Sequence, residues 1–416
     1  MTQEFDWLNR SFLQKIVKNQ FSCNENDFTI ESFEVSRASG KGDNYLGTLL
    51  RVKVVIFQVK DKKTVEQFYI VKTSAGDGNM SEEISSQLNA YPKEMEVYGK
   101  ILPAFEAIWK EHGIEMTFGP KCFGIFHEPV DIIVLEDLSQ DGFSIGNRCI
   151  GLDLNHALLV VEKLAQFHAT SVIYSEKYGK FDKKFENGYF SNELYTDQWK
   201  AYYNKITTSF REAMLSWPGF ENIVKKSEAW GENVYKHGIK AVEMHPNDFR
   251  CLVHGDAWLN NLMFKETSDG PPKDIKLIDF QLASLGTPIQ DLFYFMTSSL
   301  MEDVRVENFD TIIAHYQESL ERSFNSLQFS GYIPSLRDIQ SELLRRNMIG
   351  VCCAVEGMVI FLMAKGDSLD VELMIGDSEE AVKYRHKCYS NPVFVSAAQK
   401  YVKFLYKRGL LDLPRN

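Results

Sequence analysis

Apolar and polar residues alternate between residues 48 and 59, and the β-branched Val52, Val54, Val55, Ile56 and Val59 fill the run, which predicts a strand. A second strand is expected over 68–72, ending in Lys72, with Asp61-Lys62-Lys63 as the hairpin turn between them. A polar loop over 74–89 follows. From Tyr91 onward, Met95, Tyr98, Leu102 and Phe105 recur at helical spacing; Pro103 is expected to kink or restart that helix and Gly113 to cap it. Two short strands are expected at 121–126 and 132–135. After Asp137 the pattern turns helical, with helices expected over 155–174, 197–217, 220–242, 306–324, 335–364 and 379–385. Only 251–253, 262–264 and 275–278 interrupt as short apolar strands. Strands gathered early and helices late predict an α+β, bilobal, protein-kinase-like chain: a small antiparallel-sheet lobe over 1–137 and a large, mostly helical lobe over 138–416.

Composition changes this picture little. At 416 residues the chain exceeds the ~250–300 that one core supports, in keeping with two lobes. The net charge of −11 gives no basic footprint for nucleic acid or anionic lipid. Seven scattered cysteines include no Cys-x-x-Cys pair, and the acidic, polar start resembles no signal peptide, so reduced thiols in a cytoplasmic setting are expected. The most apolar stretch, 348–364, is broken by Glu356 and falls short of the ~20 residues that span a bilayer, so it predicts a buried helix.

The chemistry-bearing pattern is Leu252-Val253-His254-Gly255-Asp256, with Asn261 five positions after the aspartate, followed by Ile275-Lys276-Leu277-Ile278-Asp279. Two apolar strands each deliver an aspartate. Phosphoryl transfer to a hydroxyl asks for such groups: one carboxylate, Asp256, to orient the nucleophile and accept its proton, and an amide oxygen and second carboxylate, Asn261 and Asp279, to hold Mg2+ on ATP. Either aspartate alone is an ordinary turn residue; the ordered pair carries the signal. Lys72 stands where a lysine for the α/β-phosphates belongs, and Glu94 flanks the buried helical stripe more closely than its competitor Glu96. Ser39, Gly40, Gly42 and Asn44 form a Gly-x-Gly turn one strand before Lys72, suited to laying backbone N–H groups over phosphate. Glu136 and Leu138 lie where a hinge would meet adenine. Asp291 opens an apolar run and is expected to brace the catalytic loop, with a helix N-cap as the plainer alternative; His254 is expected to brace the same loop, and His168 to be a satisfied core residue. The chain contains neither a Walker A loop nor a Gly-x-Ser-x-Gly elbow.

These residues together resemble the ecdysteroid kinase-like family of insects, a branch of the choline kinase and aminoglycoside phosphotransferase group. The resemblance rests on Gly42-Asp43-Asn44-Tyr45, Lys72, Glu94 with Tyr98, Leu135-Glu136-Asp137-Leu138, Leu164-Ala165 with His168-Ala169, His254-Gly255-Asp256 with Trp258 and Asn261, Asp279-Phe280-Gln281, and Asp291. It implies Asp256 as base, Asn261 and Asp279 as magnesium ligands, Lys72 as phosphate contact and Glu94 as its partner. One departure stands out: Gly47 occupies a position where the family pattern leads one to expect serine.

Gly255 replaces the arginine of the His-Arg-Asp pattern of protein kinases, and the stretch from Asp279 to Asp291 is too short for a peptide-binding activation segment. Instead, residues 175–248 form an aromatic-rich insert that includes Tyr189, Phe190, Trp199 and Tyr202. This insert and the apolar helix bearing Met348, Val351, Met358, Phe361 and Leu362 are expected to wall a pocket for a lipophilic small-molecule alcohol. A choline- or ethanolamine-type kinase and a catalytically inactive ligand-binding relative remain the competing readings.

Overall fold

The computed structural model describes residues 5–38, 47–74, 82–148, 150–268, 270–362 and 369–413. Five strands form one antiparallel sheet: β1 (Phe28–Arg37), β2 (Thr48–Gln58), β3 (Lys63–Thr73), β4 (Cys122–Phe126) and β5 (Ile132–Glu136), in the order β1-β2-β3-β5-β4. Alternation explains the burial. Leu50, Val52, Val54 and Ile56 of β2 face a core shared with Phe12, Leu13, Ile16 and Val17 of the N-terminal helix Arg10–Phe21, whose Asn9 side chain caps the Phe12 N–H. That helix and β1 are absent from the sequence reading, because β1 has a mostly exposed, irregular face with a bulge between Ile30 and Ser32.

The remainder is mostly helical, as the pattern foretold, built on helices such as Leu154–Tyr178, Asp197–Leu215 and Phe309–Ser326. Two short sheets join it: β6 (Phe143–Ile145), β8 (Leu262–Lys265) and β9 (Asp274–Leu277) in one, and β7 (Cys251–Val253) with β10 (Ser284–Gly286) in the other. Several boundaries differ from expectation. The 74–89 stretch contains a helix, Glu82–Gln87. Pro103 does mark a restart: helix Ala90–Glu96 passes through a π turn at Val97–Ile101 into Leu102–Glu111, and the proline sits in the first turn of that segment, where a missing N–H is tolerated. The 220–242 helix is interrupted at Gly231, whose φ of +68° is left-handed. The helix expected over 335–364 divides at Arg346, a fully buried guanidinium that bonds Ala241 O, Glu243 O and Asp248.

Helix Ala90–Glu96 and its continuation pack into the larger core, with Met95, Tyr98, Leu102 and Phe105 among Leu164, Phe167 and Phe280. The element carrying Glu94 is therefore anchored to the helical lobe, whereas Lys72 rides on the small sheet. Among the described residues no helix is long and apolar enough to cross a membrane.

Candidate active site

β3 places Lys72 at its inner end with only 5 % of its surface exposed. Its Nζ lies 2.9 Å from Glu94 Oε1 and 3.0 Å from Asp279 Oδ1. Burial alone would lower the lysine's pKa, but the two carboxylates overcome this and raise it, so it stays a cation. Burial pushes the Glu94 carboxyl up and Lys72 pulls it back, helped by the Gln281 amide. Glu96 turns outward to Lys100 and Lys184, so the geometry selects Glu94 over its competitor. Tyr91 ties the helix to the end of β3 through Thr73 O at 2.6 Å.

Asp256 follows β7 on a tight turn. Its Oδ2 accepts from Asn261 Nδ2 at 2.8 Å and its Oδ1 from the Tyr294 hydroxyl at 2.6 Å. Burial and the nearby Asp279 carboxylate push its pKa up to about 8, against the two hydrogen bonds that favour the anion. Asp279 ends the β9 side with φ of +66°, a left-handed conformation that aspartate tolerates better than most side chains, and its N–H donates to Tyr98 Oη at 3.0 Å. That conformation turns its carboxylate toward Lys72. Asn261 O in turn accepts from Ile278 N at 3.0 Å, which fixes the two loops to each other.

The loop is braced from below. Asp291 sits fully buried in the first turn of helix Ile289–Ser298 and not at its cap, which Pro288 occupies. Its carboxylate accepts from the His254 and Gly255 N–H groups at 2.7 and 2.8 Å and meets His168 Nε2 at 3.0 Å. Burial would raise its pKa; these partners reverse that and hold it below the usual carboxylate range. His168 also meets Tyr316 Oη at 2.9 Å, so it is satisfied on both ring nitrogens. His254 bonds Ile278 O at 3.0 Å through Nε2 and accepts from Asp256 N at 3.3 Å through Nδ1, a pattern one neutral tautomer satisfies; burial keeps its pKa below the ordinary value.

Gly255 has φ of +79°, and a Cβ there would meet Leu282 O at 2.2 Å. The turn thus excludes the arginine of protein kinases on steric grounds alone. Gly255→Ala is expected to cost at least ~1–2 kcal/mol from the left-handed backbone, with the Leu282 clash added. A chemical denaturation midpoint unchanged from wild type would contradict this. Gly47 is equally constrained: at φ of +73° a Cβ would lie 1.9 Å from Tyr91 Oη and 2.2 Å from Thr73 O, so no serine fits here.

Lys72, Glu94, Asp256, Asn261, Asp279, Glu136 and Leu138 all line one cavity of about 1090 Å³. Asp137, beside the predicted hinge residues, is buried and holds Arg51 at 2.7 Å and Ser139 N at 3.2 Å, while Glu136 bonds Lys121 through both its N–H and its Oε2. His254 and Asp291 support the cavity floor from behind. Ser39, Gly40, Gly42 and Asn44 lie outside the described residues. An aromatic wall of the same cavity is formed by Tyr189, Phe190, Trp199 and Tyr202 of the insert together with Trp258, Tyr294, Glu356 and Phe361. Two of these, Tyr294 and Glu356, escaped the sequence reading. Tyr294 lies three residues after Asp291, hence on the same helix face, and Glu356 was visible only as a charge interrupting an apolar run.

Comparison with solved structures finds an ethanolamine kinase of Plasmodium vivax at 13 % identity, covering 95 % of this chain and 93 % of that one with a TM-score of 0.39. A choline kinase, LicA, from Streptococcus pneumoniae matches at 13 % identity, covering 94 % and 100 % with a TM-score of 0.33. An amicoumacin kinase, hAmiN, solved with AMP-PNP, Ca2+ and Ami, matches at 11 % identity, covering 92 % and 97 % with a TM-score of 0.40. No curated protein sequence matches the chain. A model of the ecdysteroid kinase-like family matches residues 41–329, over half of the sequence. The chain belongs to the ecdysteroid kinase-like family.

Proposed function

We propose that the chain is an ATP- and Mg2+-dependent phosphotransferase that moves the γ-phosphate to a hydroxyl of a small lipophilic molecule, an ecdysteroid-like steroid or a xenobiotic alcohol. The observation that carries this reading is the convergence on one cavity of a buried Lys72–Glu94 ion pair with Asp279, and of Asp256 with Asn261. In family members of this kind, Lys72 would meet the α/β-phosphates while Glu94 holds it in place, and the backbone at 136–138 would meet adenine. We place the chain's lobe boundary there, at 137/138, with helix Ala90–Glu96 bridging the two.

The donor set suits a hard divalent cation: a carboxylate, Asp279, already facing a cation, and the amide oxygen of Asn261. Bound magnesium would neutralise charge on the triphosphate. Asp256 would orient the acceptor hydroxyl and take its proton. Tyr294 and Asn261 hold its two oxygens, so the carboxylate rotamer is fixed before the acceptor arrives.

What supports a lipophilic acceptor is the aromatic side of the cavity, where Phe190, Trp199, Trp258, Ile360 and Phe361 line the space beside Asp256. The test is transfer of labelled phosphate from ATP to hydroxylated steroids and phenolics, measured beside choline, ethanolamine and aminoglycosides. Transfer to the large apolar alcohols with the higher kcat/KM is expected. Preference for the compact polar acceptors would remove the lipophilic pocket, and nucleotide-independent ligand binding without transfer would favour an inactive binder.

A further inference from the structure

Deep in the aromatic wall stands a carboxylate that the reaction does not use. Glu356 belongs to a π turn, Cys353–Gly357, inserted between helices Met348–Cys352 and Met358–Phe361. Such bulges reorient one side chain out of the regular helical register. Here the carboxylate faces the cavity. The Tyr189 hydroxyl lies 2.7 Å from each of its oxygens, the Tyr203 hydroxyl donates to Oε2, and Tyr202 adds a further hydrogen bond. Tyr203 is buried and Tyr189 half-buried, and desolvation holds both phenol pKa values well above the ordinary value, so both remain neutral donors.

Among the described residues no lysine, arginine or histidine forms an ion pair with Glu356, whereas Arg51, Lys72 and Arg346 are each paired with a carboxylate. Phenol hydrogen bonds satisfy a carboxylate's lone pairs but leave its charge uncompensated in an apolar setting, which is costly. Burial accordingly raises the Glu356 pKa, with the tyrosines opposing. Aromatic rings surround the group: Tyr189, Trp199, Tyr202, Tyr203 and Tyr235 form tilted and edge-to-face pairs with centroids 4.7–6.2 Å apart, and aromatic rings attract cations to their faces. The site also lies within reach of the reacting end. Tyr294, which bonds Asp256 at 2.6 Å, feels the Glu356 charge and packs on Phe361 at 5.5 Å.

We infer that, of the two acceptor classes proposed above, the acceptor is the xenobiotic-type lipophilic alcohol, one that also carries a protonated amine, and that Glu356 receives the amine while the hydroxyl meets Asp256. The reacting hydroxyl rests on the phosphotransferase reading; the amine rests on the cavity alone. An uncharged hydrogen-bond donor such as a second hydroxyl is the alternative occupant.

Matched pairs of probes separate these. Tyramine with 4-ethylphenol, 5-hydroxytryptamine with 3-ethylindol-5-ol, and a 3-aminosteroid alcohol with the corresponding diol differ in the amine and span a range of sizes. Binding to the full-length protein is measured by calorimetry without nucleotide, and transfer from labelled Mg-ATP is measured separately. In the pair that binds best, the charged member is expected to bind at least about tenfold more tightly. In Glu356→Gln, which keeps the shape and an acceptor oxygen for the tyrosines, that preference is expected to fall to near unity while Mg-ATP affinity is retained. Equal or weaker binding of the charged member in all pairs, no binding by any charged probe, or a preference that survives in the variant overturns the inference. Should the variant not fold, the wild-type ratio decides. Tight amine binding without transfer would sink the phosphotransferase reading and leave the amine site standing; transfer to the neutral members alone would do the reverse.

Discussion

Asp256→Asn is expected to lower kcat by ~10²–10⁴ while leaving the Kd for Mg-ATP within about threefold of wild type. The separation follows from the geometry. Asparagine has the shape of aspartate, and its amide can still accept from Asn261 Nδ2 while its NH2 meets the Tyr294 hydroxyl oxygen, so the loop needs no rearrangement. What disappears is the ability to take a proton. A second consequence concerns stability. The Asp256 carboxyl is pushed up to about 8 by burial and by Asp279, so the charged form is unfavourable in the folded protein and a neutral isostere relieves that cost. The variant should therefore melt no lower than wild type. Single-turnover transfer, nucleotide titration and thermal denaturation check the three parts. Retained turnover would show that another group takes the proton, and a large loss of Mg-ATP affinity would move Asp256 from the acceptor side to the metal.

Three residues of the candidate site were legible because each sits at or just past the end of a short apolar strand, and such strands declare themselves by composition. Lys72 after 68–71, Asp256 after 251–253 and Asp279 after 275–278 are all of this kind. Their company was less legible. Tyr294 reads as one more aromatic in Leu292-Phe293-Tyr294-Phe295, and only its hydroxyl, reaching Asp256, distinguishes it from its neighbours. Glu356 reads as a flaw in a helix because nothing local announces a π turn. The helical lobe shows the same limit. Arg346 looks like an exposed helix residue until its guanidinium is seen satisfying two carbonyls from the end of helix Tyr235–Val242 and the stretch after it, some hundred positions earlier. Conversely, the final helix Pro392–Lys407 carried a readable start, Asn391 capping Val393 ahead of Pro392 in the first turn, that the apolar pattern alone did not pick out.

Buried charges explain why the site holds together before any ligand arrives. Lys72 comes from the sheet, Glu94 from a helix rooted in the other core, and Asp279 from the loop after β9; the one ammonium bridges the two carboxylates and offsets their mutual repulsion. Asp291 does the corresponding work beneath Asp256, converting two backbone N–H groups and a histidine into a rigid platform. Because breaking a buried pair leaves the surviving charge uncompensated, such networks fix geometry more than they add stability.

That reasoning makes Asp279 the more informative of the two proposed metal ligands, and Asp279→Asn the better variant than Asp279→Ala. Alanine at φ of +66° carries a left-handed backbone cost of ~1–2 kcal/mol that has nothing to do with the metal, whereas asparagine tolerates that conformation. Asparagine removes the negative charge, leaves Lys72 paired with Glu94 alone, and keeps the N–H to Tyr98. Removing one partner of a hydrogen-bonded charge contact costs roughly 2–5 kcal/mol, or about 30- to 5,000-fold in Kd. Because the Asp279 side chain is 33 % exposed, the lower part of that range is expected for Mg-ATP. The sign must invert when the metal is chelated: with EDTA present, free ATP should bind Asp279→Asn at least as well as wild type, since a carboxylate facing the triphosphate has been neutralised while Lys72 remains. Equal loss of affinity with and without magnesium would show that Asp279 organises the fold of the loop and holds no metal, and unchanged Mg-ATP affinity would take the metal assignment away from it altogether.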